Sequence, residues 1–284
     1  MISRHAPASE VQDEDHRALA AACEPGVGLC TIVGIEGSFS RRLGAQLAVR
    51  GDGTTVGSLA DGCLEAQLAS DIREITEPLV VRYGAGSGKI DFRLPCGGGL
   101  DILLDPSPDR VGYRRAIGEL AARSPAEVVL PNNPLLMRRK YLPSLRLAVF
   151  GEGPELDALV EMARTMRLDI AAYDKSALSL GMPAPDCRLD RWTAALFLFH
   201  DHEWETVLLE QVLASEVFFI GAQGGENARI TRSLGLAGRG IPEEQISRIR
   251  SPVGLIPACK TPATMALSAL AQIVAEYELL RSGD

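Results

Sequence analysis

Apolar residues recur along the chain with two periods, and each change of period marks a new element. Residues 15–22 carry a helical pattern, and 28–35 form a β-prone run that stops at Gly37. The apolar runs 45–49 and 54–59 flank Gly51-Asp52-Gly53, turn chemistry that predicts an antiparallel hairpin. Leu64, Leu68 and Ile72 recur at intervals of four, which puts them on one face of a helix over 63–75. Residues 78–83 and 100–104 read as further strands. The first part, residues 1–109, is expected to be a mixed α+β domain.

The pattern then breaks up. Pro106, Pro108, a helix over 113–122 and the stretch Pro131-Asn132-Asn133-Pro134 predict a connecting segment over 110–144. Beyond it, apolar runs at 146–150, 169–173, 194–199 and 217–220 alternate with helical stretches, the first of them over 155–166. Such alternation predicts βαβ units, so 145–284 reads as a Rossmann-like domain with a doubly wound parallel sheet, giving an α/β chain as a whole. A long helix over 262–280 closes it, with Pro262 near the first turn, where a missing N–H costs little.

Composition narrows the class. The chain has 284 residues, 46% of them hydrophobic, enough for two cores. A formal charge of −8 argues against a binder of nucleic-acid backbones. No apolar stretch approaches the ~20 residues of a membrane span, and the acidic residues 10–15 do not suit a secretory signal. Six cysteines without a Cys-x-x-Cys pair fit a reducing cytoplasm.

The candidate chemistry lies in two places. After the strand ending at Phe150, Gly151 and Gly153 give the first two positions of a phosphate-binding turn, with Leu156 at the third, so the dinucleotide fingerprint is not met. Asp174 follows the next strand, where a ribose-binding carboxylate would stand, whereas Glu152 and Glu155 would oppose a phosphate. A Rossmann turn that binds nothing is the bland alternative. In the first part, Cys63 opens the predicted helix, where the dipole favours a thiolate, and Cys96 precedes Gly97-Gly98-Gly99, which read as a backbone cradle beside one soft ligand. Cys23, Cys30, Cys187 and Cys259 are expected to be buried small hydrophobes. Ser38-Phe39-Ser40-Arg41-Arg42 suits anion recognition or a solvated loop. His200 and His202 alternate on one predicted strand face; without a third ligand in sight, a hydrogen-bonded structural pair is favoured over a metal site.

Residues 37–45, 57–65, Cys96-Gly97-Gly98-Gly99, Asp105-Pro106, 150–153, His200-Asp201-His202, 219–222, 249–255 and Lys260-Thr261-Pro262 come in an order that resembles the xanthine dehydrogenase accessory factor family, XdhC/CoxI. The resemblance implies a protein that binds molybdenum cofactor (molybdopterin), guards it during sulfuration by a cysteine desulfurase and delivers it to a molybdenum hydroxylase apo-enzyme. The cofactor-binding set would be Cys63, Cys96, Gly97, Gly98, Gly151, Gly153 and Asp174, in a cleft between the domains. No catalytic residue is assigned, and a chaperone is favoured over a catalyst. The chain departs from the family pattern at Asp61 and at Gly151-Glu152-Gly153-Pro154. Two alternatives stay open, an NAD(P)-dependent oxidoreductase and a partner-binding scaffold without a ligand. A homodimer, the client enzyme and the metal ligands are left open as well.

Overall fold

The structure, a computed structural model, describes residues 13–60, 62–88, 97–131 and 133–282. The chain divides into two compact units, one over 13–143 and the other from Ser144 onward.

In the first unit, α1 (Glu14–Ala22) leads into β1 (Gly28–Glu36), β2 (Gln46–Val49), β3 (Thr55–Gly57), α2 (Cys63–Glu74), β4 (Leu79–Gly84), β5 (Gly99–Asp105), α3 (Arg110–Ala121), β6 (Ala126–Val129) and β7 (Arg138–Tyr141). Five strands form one antiparallel sheet in the order β3-β2-β1-β5-β4. The alternation of side chains across a strand separates two cores. Cys30, Ile32 and Leu47 face α2, whose Leu64, Leu68 and Ile72 share that cluster, as the four-residue spacing predicts. Leu29 and Ala48 face the other way, onto Leu19 of α1 and onto Tyr113, Ala116 and Leu120 of α3.

The stretch read as a connector, 110–144, therefore carries more than a connection. Asp109 caps α3 by accepting from the N–H groups of Val111 and Gly112, both at 3.1 Å. The β6–β7 hairpin adds Ala126, Val128 and Tyr141 to the same core. Asp15 of α1 ties the hairpin down, receiving Arg139 at 2.6 Å and also Arg42. The prolines bound these elements and do not dissolve them.

The second unit contains β8 (Arg146–Gly151), α4 (Gly153–Thr165), β9 (Asp169–Tyr173), β10 (Thr193–Leu198), a 3-10 turn (His202–Trp204), α5 (Glu205–Leu213), β11 (Phe219–Ala222), α6 (Glu226–Gly238), α7 (Glu243–Ile246), β12 (Ile249–Arg250) and α8 (Pro262–Ser282). Its sheet runs β12-β11-β10-β8-β9 and all pairings are parallel. Phe150 lies between Tyr173 and Phe197, with ring centroids 5.2 and 5.0 Å away. Those rings share one face with Leu208 and Leu209 of α5 and Leu236 of α6. The opposite parity, Leu147, Val149, Leu196 and Leu198, is equally buried, and α4 packs with α8. Both faces are covered, as a doubly wound sheet requires. Among the described residues no helix is long and apolar enough to cross a membrane.

Candidate functional site

In open parallel sheets ligands bind beyond the carboxyl ends of the strands, where strand order reverses. Here the chain passes from β8 outward to β9 and returns on the other side of β8 as β10, so the reversal falls between β8 and β10. Gly151 ends β8, and a Cβ added there would stand 2.7 Å from Leu198 Cβ and 3.0 Å from its carbonyl carbon. Its glycine is thus required by the approach of β10. Gly153 has φ +80°, a conformation that disfavours side chains, and starts α4. Leu156, at the third position of the fingerprint, is fully buried in the packing of α4.

Carboxylates occupy the neighbourhood. Glu155 sits at the third position of α4, and its Oε2 lies 3.7 Å from where a Cβ of Gly153 would be. That oxygen is buried without a hydrogen-bond partner among the described residues, and His200 Nε2 stands 3.6 Å away. Glu152 receives Lys175 Nζ at 2.7 Å, while Asp201 is 3.8 Å from the same ammonium. Lys175 also lies 5.3 Å from the centroid of the Trp204 ring. The charge set against the partial positive end of α4 is therefore the chain's own, which disfavours a phosphate at this turn.

Asp174 follows β9 at this edge, as expected. Its Oδ1 accepts from Ser176 N at 2.9 Å and Ala177 N at 3.2 Å, and from the Ser176 hydroxyl at 2.5 Å. One carboxylate oxygen thus folds its own turn. The histidines differ from their expectation: β10 ends at Leu198, so His200 and His202 share no strand face. His200 is exposed, whereas His202 Nδ1 meets Glu205 Oε2 at 3.1 Å. Among the described residues no group of three or more His, Cys, Asp or Glu could hold a metal ion.

Spacing along the sequence gives no sign of a buried ion pair behind His202. Glu205 and Arg232, with side chains 1% and 3% exposed, meet at 2.9 Å through Oε2 and Nε. Arg232 also donates to the Gln223 carbonyl at 3.0 Å and to Ser251 Oγ at 2.9 Å. This guanidinium joins α5, α6 and the ends of β11 and β12. Glu155 had a sequence signal: an acid at the third helical position after a proline.

In the first unit, Cys63 is the exposed first residue of α2, following Gly62 at φ +84°. Cys96 lies outside the described residues. Gly97 has φ +69°, with no atom of the described residues within 4 Å of where a Cβ would stand, and Gly98 accepts from Ala85 N at 2.9 Å. At Gly99 the requirement for glycine is internal, because an added Cβ would stand 2.7 Å from the Ala85 carbonyl oxygen as well as against the Arg82 guanidinium; Arg82 also holds Asp101 at 2.9 Å. Arg41 is used similarly, donating to the Ser58 carbonyl at 3.3 Å and the Ser58 hydroxyl at 3.0 Å. With Arg42 on Asp15, both guanidiniums of that loop serve the fold. Of the other cysteines Cys30 is fully buried, whereas Cys23, Cys187 and Cys259 are partly exposed, less enclosed than expected. Burial pushes the Cys187 thiol up to about 11.

The fold and this site define a class: a two-unit α/β protein in which an antiparallel unit precedes a Rossmann-like sheet that lacks a dinucleotide fingerprint. Two family profiles match, the XdhC Rossmann domain over residues 147–273 and the XdhC and CoxI family over residues 20–84. The chain belongs to the XdhC/CoxI family. It is similar to the molybdenum cofactor insertion chaperone PaoD of Escherichia coli (strain K12), with 29% identity over 294 aligned positions, 95% of this chain and 91% of that one. It is 23% identical to the uncharacterized protein YqeB of the same organism, matching along 87% of this chain but 42% of that longer protein. A crystal structure described as a xanthine dehydrogenase from Bacillus halodurans shares the fold, with a TM-score of 0.73 at 22% identity over 96% of this chain and 97% of that one.

Proposed function

We propose that this chain is an accessory factor that binds molybdenum cofactor and assists its sulfuration and insertion into a xanthine dehydrogenase-type molybdenum hydroxylase. A cysteine desulfurase and the apo-hydroxylase are its partners on this reading, and the cytoplasm is where it acts. The observation that carries the reading is the likeness to PaoD, a molybdenum cofactor insertion chaperone, along nearly the whole of both chains.

The residues present suit such a cargo in two respects. Cys63 is an exposed thiol at a helix start, a soft donor for a molybdenum–sulfur centre. The carboxylates of Glu152 and Glu155 beside the glycine turn are acceptors for the N–H edge of a pterin and poor neighbours for its phosphate. Cys96, Gly97, Gly98, Gly151, Gly153 and Asp174 complete the proposed set. Two features of the carboxyl edge weigh against NAD(P): Leu156 fills the third glycine position, and Asp174 turns one carboxylate oxygen onto its own loop.

The test is retention. The purified chain is incubated with molybdenum cofactor under anaerobic conditions and passed over a sizing column, and molybdenum and pterin are measured in the protein peak. The reading expects both to co-elute with the parent and to fall in Cys63→Ser or Cys96→Ser. A protein peak free of molybdenum and pterin, or tight NAD(H) binding with hydride transfer, would sink it.

A further inference from the structure

The outer edge of the second sheet holds a cavity that the glycine turn and the family likeness leave unassigned. On α6, Arg229, Arg232 and Ser233 stand at i, i+3 and i+4, which places them on one helical face. That face borders a cavity of about 430 Å³ whose far side is formed by Ser247, Arg250 and Ser251 around β12. Three guanidiniums and three hydroxyls border this one cavity, and each guanidinium has a carboxylate at its side, Glu226 at Arg229, Glu205 at Arg232 and Glu276 at Arg250, so it is their unengaged N–H donors that distinguish the cavity.

The donors are arranged unequally. Glu226 grips Arg229 from the side, through Nε at 2.9 Å and Nη2 at 2.5 Å, which leaves Nη1 without a partner among the described residues. Arg250 forms an ion pair with Glu276 at 3.7 Å through Nε, beyond hydrogen-bonding range, so its N–H donors have no hydrogen-bond acceptor among the described residues. Arg232 is committed to Glu205, yet its Nη1 donates to Ser251 Oγ. A hydroxyl that accepts this bond keeps its own proton to donate elsewhere. Glu243 is the one carboxylate among the lining residues.

We propose that this cavity binds the phosphate group of a small phosphorylated molecule, held by the Arg250 fork, by Arg229 Nη1 and by the Ser251 hydroxyl. Paired N–H donors match phosphate oxygens, and charge-assisted bonds of this kind are the strong ones. The volume falls in the range of small-molecule sites, roughly 300–1,000 Å³, leaving room for an organic part beside the phosphate. The proposal stands independently of the molybdenum reading, since it uses neither Cys63 nor the glycine turn.

Inorganic pyrophosphate is the probe, titrated calorimetrically into the full chain at low ionic strength. Saturable binding is expected, at least ~10-fold weaker in Arg250→Gln and in Arg229→Gln, about 1.4 kcal/mol each. Arg115→Gln, altering an exposed arginine of α3, is expected to leave it unchanged. Both test positions are at least half exposed, so the variants should fold, and tryptophan fluorescence checks that they do. The absence of saturable heat up to about 10 mM, a concentration at which even very weak sites fill, would overturn the proposal. So would equal affinity in the parent and both variants, or binding of an acidic peptide in place of pyrophosphate.

Discussion

Arg232→Ala removes one half of the buried pair with Glu205 and leaves a carboxylate that is 1% exposed, with His202 as its remaining side-chain partner among the described residues. Breaking such a pair from one side costs about 3–5 kcal/mol, because the remaining charge stays desolvated. Two further hydrogen bonds, to the Gln223 carbonyl and the Ser251 hydroxyl, go with it, so the upper half of that range is expected. For a unit of this size, each kcal/mol moves the midpoint by roughly 3–4 °C, giving a loss of ~12–20 °C. Both tryptophans, Trp192 and Trp204, lie in the second unit, so their fluorescence follows the unfolding of that unit alone. The double variant Arg232→Met with Glu205→Met, which removes both charges, should recover most of the loss. A cost below about 1 kcal/mol in Arg232→Ala, or a double variant no better than the single one, would refute the claim that this pair holds α5, α6 and the ends of β11 and β12 together.

Glycine substitutions separate two causes at the turn. Gly151→Ala drives a Cβ into Leu198 and should cost about 1–3 kcal/mol, whereas Gly153→Ala meets only backbone strain and should cost about 1 kcal/mol; urea unfolding followed by tryptophan fluorescence ranks them. A reversed order would contradict the packing of β8 against β10. Iodoacetamide followed by peptide mapping should find Cys63 alkylated well before Cys30 and Cys187, since Cys30 is fully enclosed and burial holds Cys187 as the thiol. Asp105 is nearly buried, and desolvation raises its carboxyl above the ordinary value despite the Ser107 N–H and Arg110. A carboxyl raised in the folded state is easiest to accommodate when protonated, and its ionisation weakens the fold as pH rises past the unfolded value near ~3.9. Asp105→Asn should therefore be more stable than the parent at pH 7, with the advantage vanishing below about pH 4, as denaturant midpoints across that range would register.

The sequence made the strands legible wherever burial is one-sided or continuous. Leu64, Leu68 and Ile72 announced α2, and the uniformly apolar runs around Val149 and Leu196 announced central parallel strands. In α6 only Arg232 and Leu236 are buried, and a helix that buries an arginine has no apolar stripe to find. The hairpin over 126–141 was hidden because Pro131 and Pro134 read as a linker, while the side chains that fix it, Asp15 and Arg139, are more than a hundred residues apart. At the site, Gly151 and Gly153 were readable as a turn. That Gly151 and Gly99 answer to Leu198 and to the Ala85 carbonyl, within the protein, depends on strand pairing, which spacing along the chain does not disclose.

Reconstitution of a client enzyme tests the proposed accessory role in loading molybdenum cofactor. Cofactor-free xanthine dehydrogenase-type hydroxylase is supplied with limiting molybdenum cofactor, with and without the purified chain, and the hydroxylase activity recovered is followed over time. Faster and more complete activation is expected with the chain present, and a loss of that gain with Cys63→Ser. Equal activation with and without the chain would contradict it.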